Sequence, residues 1–232
     1  MAPMKHLSAR PILPLLLVAA LWSAPAAAST EETEATELVD KARIAVQRLA
    51  RDPDAGPSLR HFLAGAKAVL VFPTLIKGAF LVGGEGGSGV LLTRNEKGSW
   101  SYPAFYTMAS ISFGLQIGGQ TAEAMLLMRT DGAVEAVLED QMKLGADASV
   151  AAGPKGAGIE GSTTSNIGPD ILTFSTSQGL FAGASLEGAV IARRQDWNRA
   201  FYREGATPHA IVIERAHANP AADALREALS RF

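Results

Sequence analysis

Apolar positions in this chain repeat with a helical period near its two ends, and between them they cluster in short runs of strand length. From Leu38 to Arg51, the residues Leu38, Val39, Ala42, Ala45, Val46, Leu49 and Ala50 fall on one face at about 100° per residue. Asp40, Lys41, Arg43, Gln47, Arg48 and Arg51 take the other face, and Ile44 is the one apolar residue left among them. Pro53 and Pro57 end that helix, and a shorter one is predicted over Ser58–Ala64, stopping near Gly65.

Beyond Gly65 the texture becomes that of a sheet. Ala68–Pro73, Gly78–Gly84 and Gly89–Arg94 are strand candidates, Asn95-Glu96-Lys97-Gly98 is a turn, and Trp100–Tyr106 is aromatic and extended. Ser110–Gln120 gives the clearest alternation, with Ile111, Phe113, Leu115 and Ile117 set against small or polar residues. Glu123–Thr130 reads as a strand, although its methionine-rich run also suits a buried helix. A helix is predicted over Ala133–Leu144, then strands over Ala146–Ala152, Ile171–Ser177, Leu180–Leu186 and Ala189–Arg193, with a Gly/Ser/Thr loop over Gly153–Pro169. Asp196–Arg203 and Pro220–Arg231 close the chain as helices. This order predicts an α+β fold: a curled, barrel-like antiparallel sheet of many short glycine-rich strands, with helices at the N- and C-terminal ends. Glycine permits the bulges and bends that such a curl needs.

The first residues change the picture. Lys5 and Arg10 precede an apolar run over Ile12–Leu21, and Ala26-Ala27-Ala28 supplies a small-residue cleavage site, so residues 1–28 are predicted to be a secretory signal peptide. Pro14, Ser23 and Pro25 interrupt the run before the roughly 20 apolar residues that a membrane span needs. Ser29–Glu37, with four glutamates, reads as an acidic spacer running into the first turn of a helix, and residues 38–232 read as a single domain. Cleavage removes Lys5 and Arg10 but no acid, which takes 21 Lys+Arg against 23 Asp+Glu to a formal charge of −4. Bulk attraction to nucleic acid or to an anionic membrane is not expected from such a chain, and attraction to phosphates would have to come from a local patch. No cysteine is present, so packing and backbone hydrogen bonds must supply the stability.

Candidate chemistry is sparse. Gly84-Glu85-Gly86-Gly87-Ser88-Gly89 matches G-x-G-x-x-G, but it leads into the strand-like Val90–Thr93 rather than a helix N-terminus, so a glycine-rich hairpin is the expected reading. After the leader only His61, His209 and His217 remain, none at ligand spacing with another donor, and no metal or cofactor is implied. A hydrolase would require Ser185, Asp147 or Glu187 to meet His209 through folding. Trp100, Tyr102, Phe105 and Tyr106 are expected in the core rather than in a ligand groove. The 38–51 helix has two readings: it lies on a membrane through its apolar face, or it packs that face on its own sheet. Its apolar residues are mostly Ala and Val, which favours packing.

The order of several segments is informative. Ala68-Val69-Leu70-Val71-Phe72-Pro73, Lys77-Gly78 and Gly83–Leu92, then Ala109–Gln120, Gly145–Val150 and Gly179–Gly188, resemble the SYLF domain, also called the actin-binding domain of the yeast Ysc-type proteins. The matches span about residues 38 to 204. The resemblance implies a non-enzymatic domain that binds phospholipid or another amphiphile. In eukaryotic members an N-terminal amphipathic helix is implicated in phosphoinositide binding, and some members bind actin. Bacterial members are exported envelope proteins, and a leader on a lone domain is similar to that kind, so a periplasmic protein is expected and actin is not an expected partner. Lys41, Arg43, Arg48 and Arg51 of the first helix, with Lys77 from the matching strand segment, are the lipid-binding candidates. An envelope protein that binds another protein is the alternative.

Overall fold

The computed structural model describes residues 29–232 apart from 81, 114–117, 154–167 and 177–185. The leader, most of the 153–169 loop and nearly all of the Leu180–Leu186 strand candidate therefore lie outside the described residues.

The first helix, α1 (Thr30–Arg51), starts eight residues earlier than its apolar stripe. Ser29 caps it: its hydroxyl accepts a hydrogen bond from the Glu32 amide at 3.1 Å. Glu31 and Glu32 in the first turn, and Arg48 and Arg51 in the last, complement the helix dipole. The acidic stretch read as a spacer is thus the opening of the helix. A second helix, α2 (Gly56–Ala64), follows after Pro53.

The sheet opens with β1 (Ala68–Phe80) and β2 (Val82–Thr93), two arms of one antiparallel hairpin where shorter separate strands were expected. Next come β3 (Ala104–Phe113) and β4 (Gly118–Met128). These two run in opposite directions, so the alternating Ser110–Gln120 segment contains a reversal rather than one strand. Helix α3 (Asp131–Leu138) is shorter than expected, because the chain extends again as β5 (Gln141–Lys143). The strands β6 (Val150–Ala152), β7 (Ile171–Ser175) and β8 (Val190–Arg193) complete the described sheet. Helices α4 (Gln195–Tyr202), α5 (Pro208–Val212, not foreseen) and α6 (Asp223–Ser230, after a 3₁₀ turn) close the chain.

The strand order is β5-β8-β3-β2-β1-β4-β7-β6, with every pairing antiparallel except β6–β7. In a flat sheet about 24 Å would separate β4 from β5. Helix α3, about 12 Å long, touches both, as fits a sheet that curls.

Alternation along the strands divides the core. One face carries Val69, Val71, Val90, Phe105, Met125 and Phe174, and the helices cover it: α1 lies across β1, β2 and β4, α4 stacks Trp197 and Phe201 on Phe105, and α2 brings Phe62 to Phe174. The other face carries Leu70, Phe72, Leu91, Tyr106, Met108 and Leu126, all buried. A bulge in β1 between Phe72 and Leu75 keeps both of these residues on that second face.

The glycines of the G-x-G-x-x-G stretch sit inside β2: Gly84 and Gly86 pair with both β1 and β3, whereas Gly87 and Gly89 pair with β3 alone, opposite the bulge in β1. A methyl group on Gly89 would lie 2.6 Å from the Phe72 ring and 2.7 Å from the Val71 carbonyl oxygen, whereas one on Gly84 would meet nothing within 4 Å. Gly89 therefore serves close packing, not phosphate binding. Urea denaturation should show Gly89→Ala destabilised by about 1–3 kcal/mol and Gly84→Ala within about 0.5 kcal/mol of the parent protein. Equal costs at the two positions would contradict the packing role.

Candidate functional site

Four of the five candidate cations lie on α1, and the helix shows two very different faces. Ala35, Leu38, Val39, Ala42, Ala45, Val46, Leu49 and Ala50 are all buried against the protein. This is the apolar face that insertion into a bilayer would use, and here it is committed to the sheet. On the outside, Lys41, Ile44, Arg48 and Arg51 fall within an arc of about 80°, with the exposed Glu37 among them. Ile44 is 42% exposed in the middle of that stripe.

The cations of α1 have neighbours. Lys41 pairs with Glu37 at 3.1 Å, Arg43 with Asp40 at 3.7 Å, and Arg48 with Glu123 of β4 at 2.5 Å. Arg51 has no carboxylate partner among the described residues. Exposed pairs of the Lys41–Glu37 kind contribute about 0–1 kcal/mol and exchange readily for another anion. The Arg48 pair differs, because Glu123 is largely buried, with one carboxylate oxygen lacking a partner. Burial raises the Glu123 pKa, against the opposing pull of Arg48.

Lys77 belongs elsewhere. It lies opposite Gln120 on β4, three residues from the Glu123 that meets α1, so it projects from the opposite face of the sheet. There it stands in register with Glu85 of β2 at 3.9 Å, in a cross-strand row that runs Gln120, Lys77, Glu85, Ser110. The five candidate cations therefore do not form one site. The physical reason is the two-residue period of a strand, which hides from a linear reading which face a side chain takes.

The sequence reading also passed over Glu85 as a variable position in a glycine motif. Its side chain is 1% exposed, and one carboxylate oxygen has no partner. On the same face, the buried Tyr106 hydroxyl and Thr173 hydroxyl likewise lack partners. A hairpin centred on residue 81 puts Lys77 opposite Glu85, and that pairing is the signal from which the buried carboxylate was recoverable. Desolvation pushes Glu85 up to about 7, with Lys77 pulling the other way.

Among the described residues, two of the hydrolase candidates, His209 and Asp147, are engaged with other groups. His209 faces Glu214 at 3.0 Å, and Asp147 accepts a hydrogen bond from the Lys143 amide at 2.6 Å within its own turn. Ser185 lies outside the described residues. Among the described residues, no three His, Asp or Glu side chains gather as a metal site.

Glu85 gives a testable pH dependence. Its folded pKa lies above the ordinary 4.5, so between 4.5 and about 7 the folded protein holds a proton that the unfolded chain has released. Stability from this group therefore falls as pH rises through that window. At about 1.4 kcal/mol per tenfold change in proton affinity, the effect is at most about 3 kcal/mol. Thermal melts at pH 5 and pH 8 should show Glu85→Gln gaining on the parent protein at the higher pH. A stability difference that is the same at both pH values would contradict the assignment.

Comparison with known proteins places this geometry in a family. The family model described as "Ysc84: Las17-binding protein actin regulator" matches residues 109–232. "SH3 domain-containing YSC84-like protein 1" of Rattus norvegicus is 35% identical over 173 residues, which cover 74% of this chain and 51% of that protein. "Protein YSC84" of Saccharomyces cerevisiae is 34% identical over 168 residues, covering 71% of this chain and 36% of its own length. "LAS seventeen-binding protein 3" of the same yeast is 35% identical over 166 residues, covering 70% and 36%. The chain thus spans about half or less of the length of the curated relatives it matches. With a family match over more than half its residues, the chain belongs to the Ysc84 family.

Proposed function

We propose that this protein is a non-catalytic binding module whose ligand is a phospholipid surface, and that after removal of its leader near Ala28 it works in an exported, periplasmic setting. The observation that carries the reading is the exposed stripe Lys41, Ile44, Arg48 and Arg51 on a helix whose opposite face is buried. The stripe joins basic residues to one exposed apolar side chain, the combination that suits an interface of headgroups and acyl chains. Because the rear face is engaged, contact is peripheral: the helix lies on the surface as part of a rigid body rather than leaving the protein to insert.

Exposed pairs such as Lys41–Glu37 support this use, since little free energy is lost when lipid phosphates replace the carboxylate. The relatives favour a second reading, a protein partner, because the yeast relative is named for binding Las17. A protein partner would dock without lipid, so vesicles separate the two.

Co-sedimentation with vesicles of phosphatidylglycerol in phosphatidylcholine is the test. The parent protein should pellet with the vesicles, more weakly as salt rises. Reversal of Lys41, Arg43, Arg48 and Arg51 to Glu should reduce the bound fraction at least tenfold while the fold is retained. Absence of binding by the parent protein would remove the lipid reading and leave the protein partner. Undiminished binding by the variant would take the site off α1.

A further inference from the structure

The cations of α1 are mostly matched by carboxylates, which directs attention to those that are not. Two arginines stand out, Arg94 at the end of β2 and Arg215 after α5. Arg94 donates from Nε to the Gly98 carbonyl at 3.1 Å and from Nη1 to the Ala64 carbonyl at 2.5 Å, and its guanidinium lies over the Trp100 ring. Arg215 donates from Nη2 to the Ser99 carbonyl at 2.9 Å and reaches the Thr93 carbonyl at 3.4 Å. Neither has a carboxylate partner among the described residues. Carbonyl oxygens fix a guanidinium in place but leave its charge uncompensated, with further N–H donors still available.

Both arginines line one cleft of about 730 Å³, together with Lys67, Asp131, Glu96 and the rim residue Ile213. Lys67 and Asp131 form an ion pair across it, and their exposed side chains hold each other at the N-terminus of α3. Glu96 sits in the exposed turn after β2 and pairs with neither arginine. The lining therefore carries three cations against the two carboxylates of Glu96 and Asp131; two of the cations touch neither carboxylate, and the third is held by a pair that is cheap to exchange.

Two more observations mark Arg215. Its backbone has φ +56°, a left-handed conformation that costs free energy in any residue but glycine and is retained where surrounding structure enforces it. Burial, and then the neighbouring Arg226, lower its pKa below the usual arginine value, as fits a guanidinium that is partly dehydrated and crowded by like charge. Ile213, two residues earlier, is 44% exposed and gives the rim an apolar contact.

We propose that this cleft binds a phosphate-type anion, with the carbonyl-anchored guanidiniums of Arg94 and Arg215 as its fork and Lys67 as the third charge once it exchanges Asp131 for the ligand. Arginine forks match the geometry of phosphate oxygens, and a charge-assisted bond to each is about twice as strong as a neutral one. The site lies on the connections at the ends of β2 and α5 and does not depend on the α1 reading. Its ligand is either a free phosphate compound or a phospholipid headgroup, the two sharing one recognition chemistry.

The test is an amide chemical-shift titration of the protein with inorganic phosphate at constant ionic strength, with vesicle co-sedimentation as a second arm. Saturable shifts should be confined to residues 64–67, 93–99, 131–134 and 212–215. Arg215→Gln and Lys67→Glu should each weaken phosphate binding at least tenfold. Lys67 is exposed, so its variant keeps the test decisive if Arg215→Gln fails to fold. Phosphate binding with vesicle binding unaffected by these variants would assign the cleft to a soluble phosphate compound. Vesicle binding lost in both cleft variants would assign it to a lipid headgroup. No saturable shift, together with vesicle binding unchanged in both variants, would overturn the proposal, and would do so even where reversal of the α1 charges abolishes vesicle binding and leaves the surface reading intact.

Discussion

The seating of α1 on the sheet is the contact on which the rest of the molecule depends. Four buried alanines, at positions 35, 42, 45 and 50, keep that helix surface low, so that its backbone can approach the valines of β1 and β2 closely. Leu38, Val39, Val46 and Leu49 add the bulk, each worth about 1.5–3 kcal/mol when fully buried. The same helix touches α2, α4 and α6, so elements from both ends of the chain meet around it. This commitment decides what is left for function. An amphipathic helix that buries its apolar face has only its polar face to offer a partner. The candidate surfaces are accordingly polar: the outer stripe of α1 and the arginine-lined cleft.

The opposite side of the sheet obeys a different constraint. Phe72 and Leu75 fill it from β1, and the glycines of β2 are the recesses into which they fit. That demand for space explains a glycine-rich sequence with no phosphate-binding helix behind it. It also explains how Glu85 comes to be buried. Its neighbours along β2 have no side chains to separate it from the core, and Lys77 is the charge that the hairpin supplies opposite it.

The sequence was most readable where the determining contacts are local. Every apolar position assigned to the 38–51 face is buried, and Ile44, the exception on the polar side, is exposed. The curled α+β sheet followed from strand-length runs separated by glycine and turn residues. Legibility failed where a distant partner decides the outcome. Alternation from Ser110 to Gln120 looks the same whether the chain continues or turns back, and only the pairing of β3 with β2 and of β4 with β1 shows the reversal. Lys77 enters the candidate set from the strand segment that carries the resemblance, and a linear reading does not show which face of the sheet it takes. Arg94 and Arg215 carry no sequence signal at all, since the fold alone brings them to one cleft, each on its own backbone carbonyls. The helix over Pro208–Val212 is too short for its periodicity to register.

The central claim is that α1 remains docked while the protein meets its ligand, and the absence of native cysteines allows a direct measurement. Val71 lies fully buried on the α1 side of β1. In Val71→Cys, the rate of thiol labelling by a water-soluble maleimide reports whether α1 covers that position. The rate should stay as slow with phosphatidylglycerol vesicles bound as without them. A marked acceleration on vesicle binding would show that α1 leaves the sheet to insert, and would contradict the account.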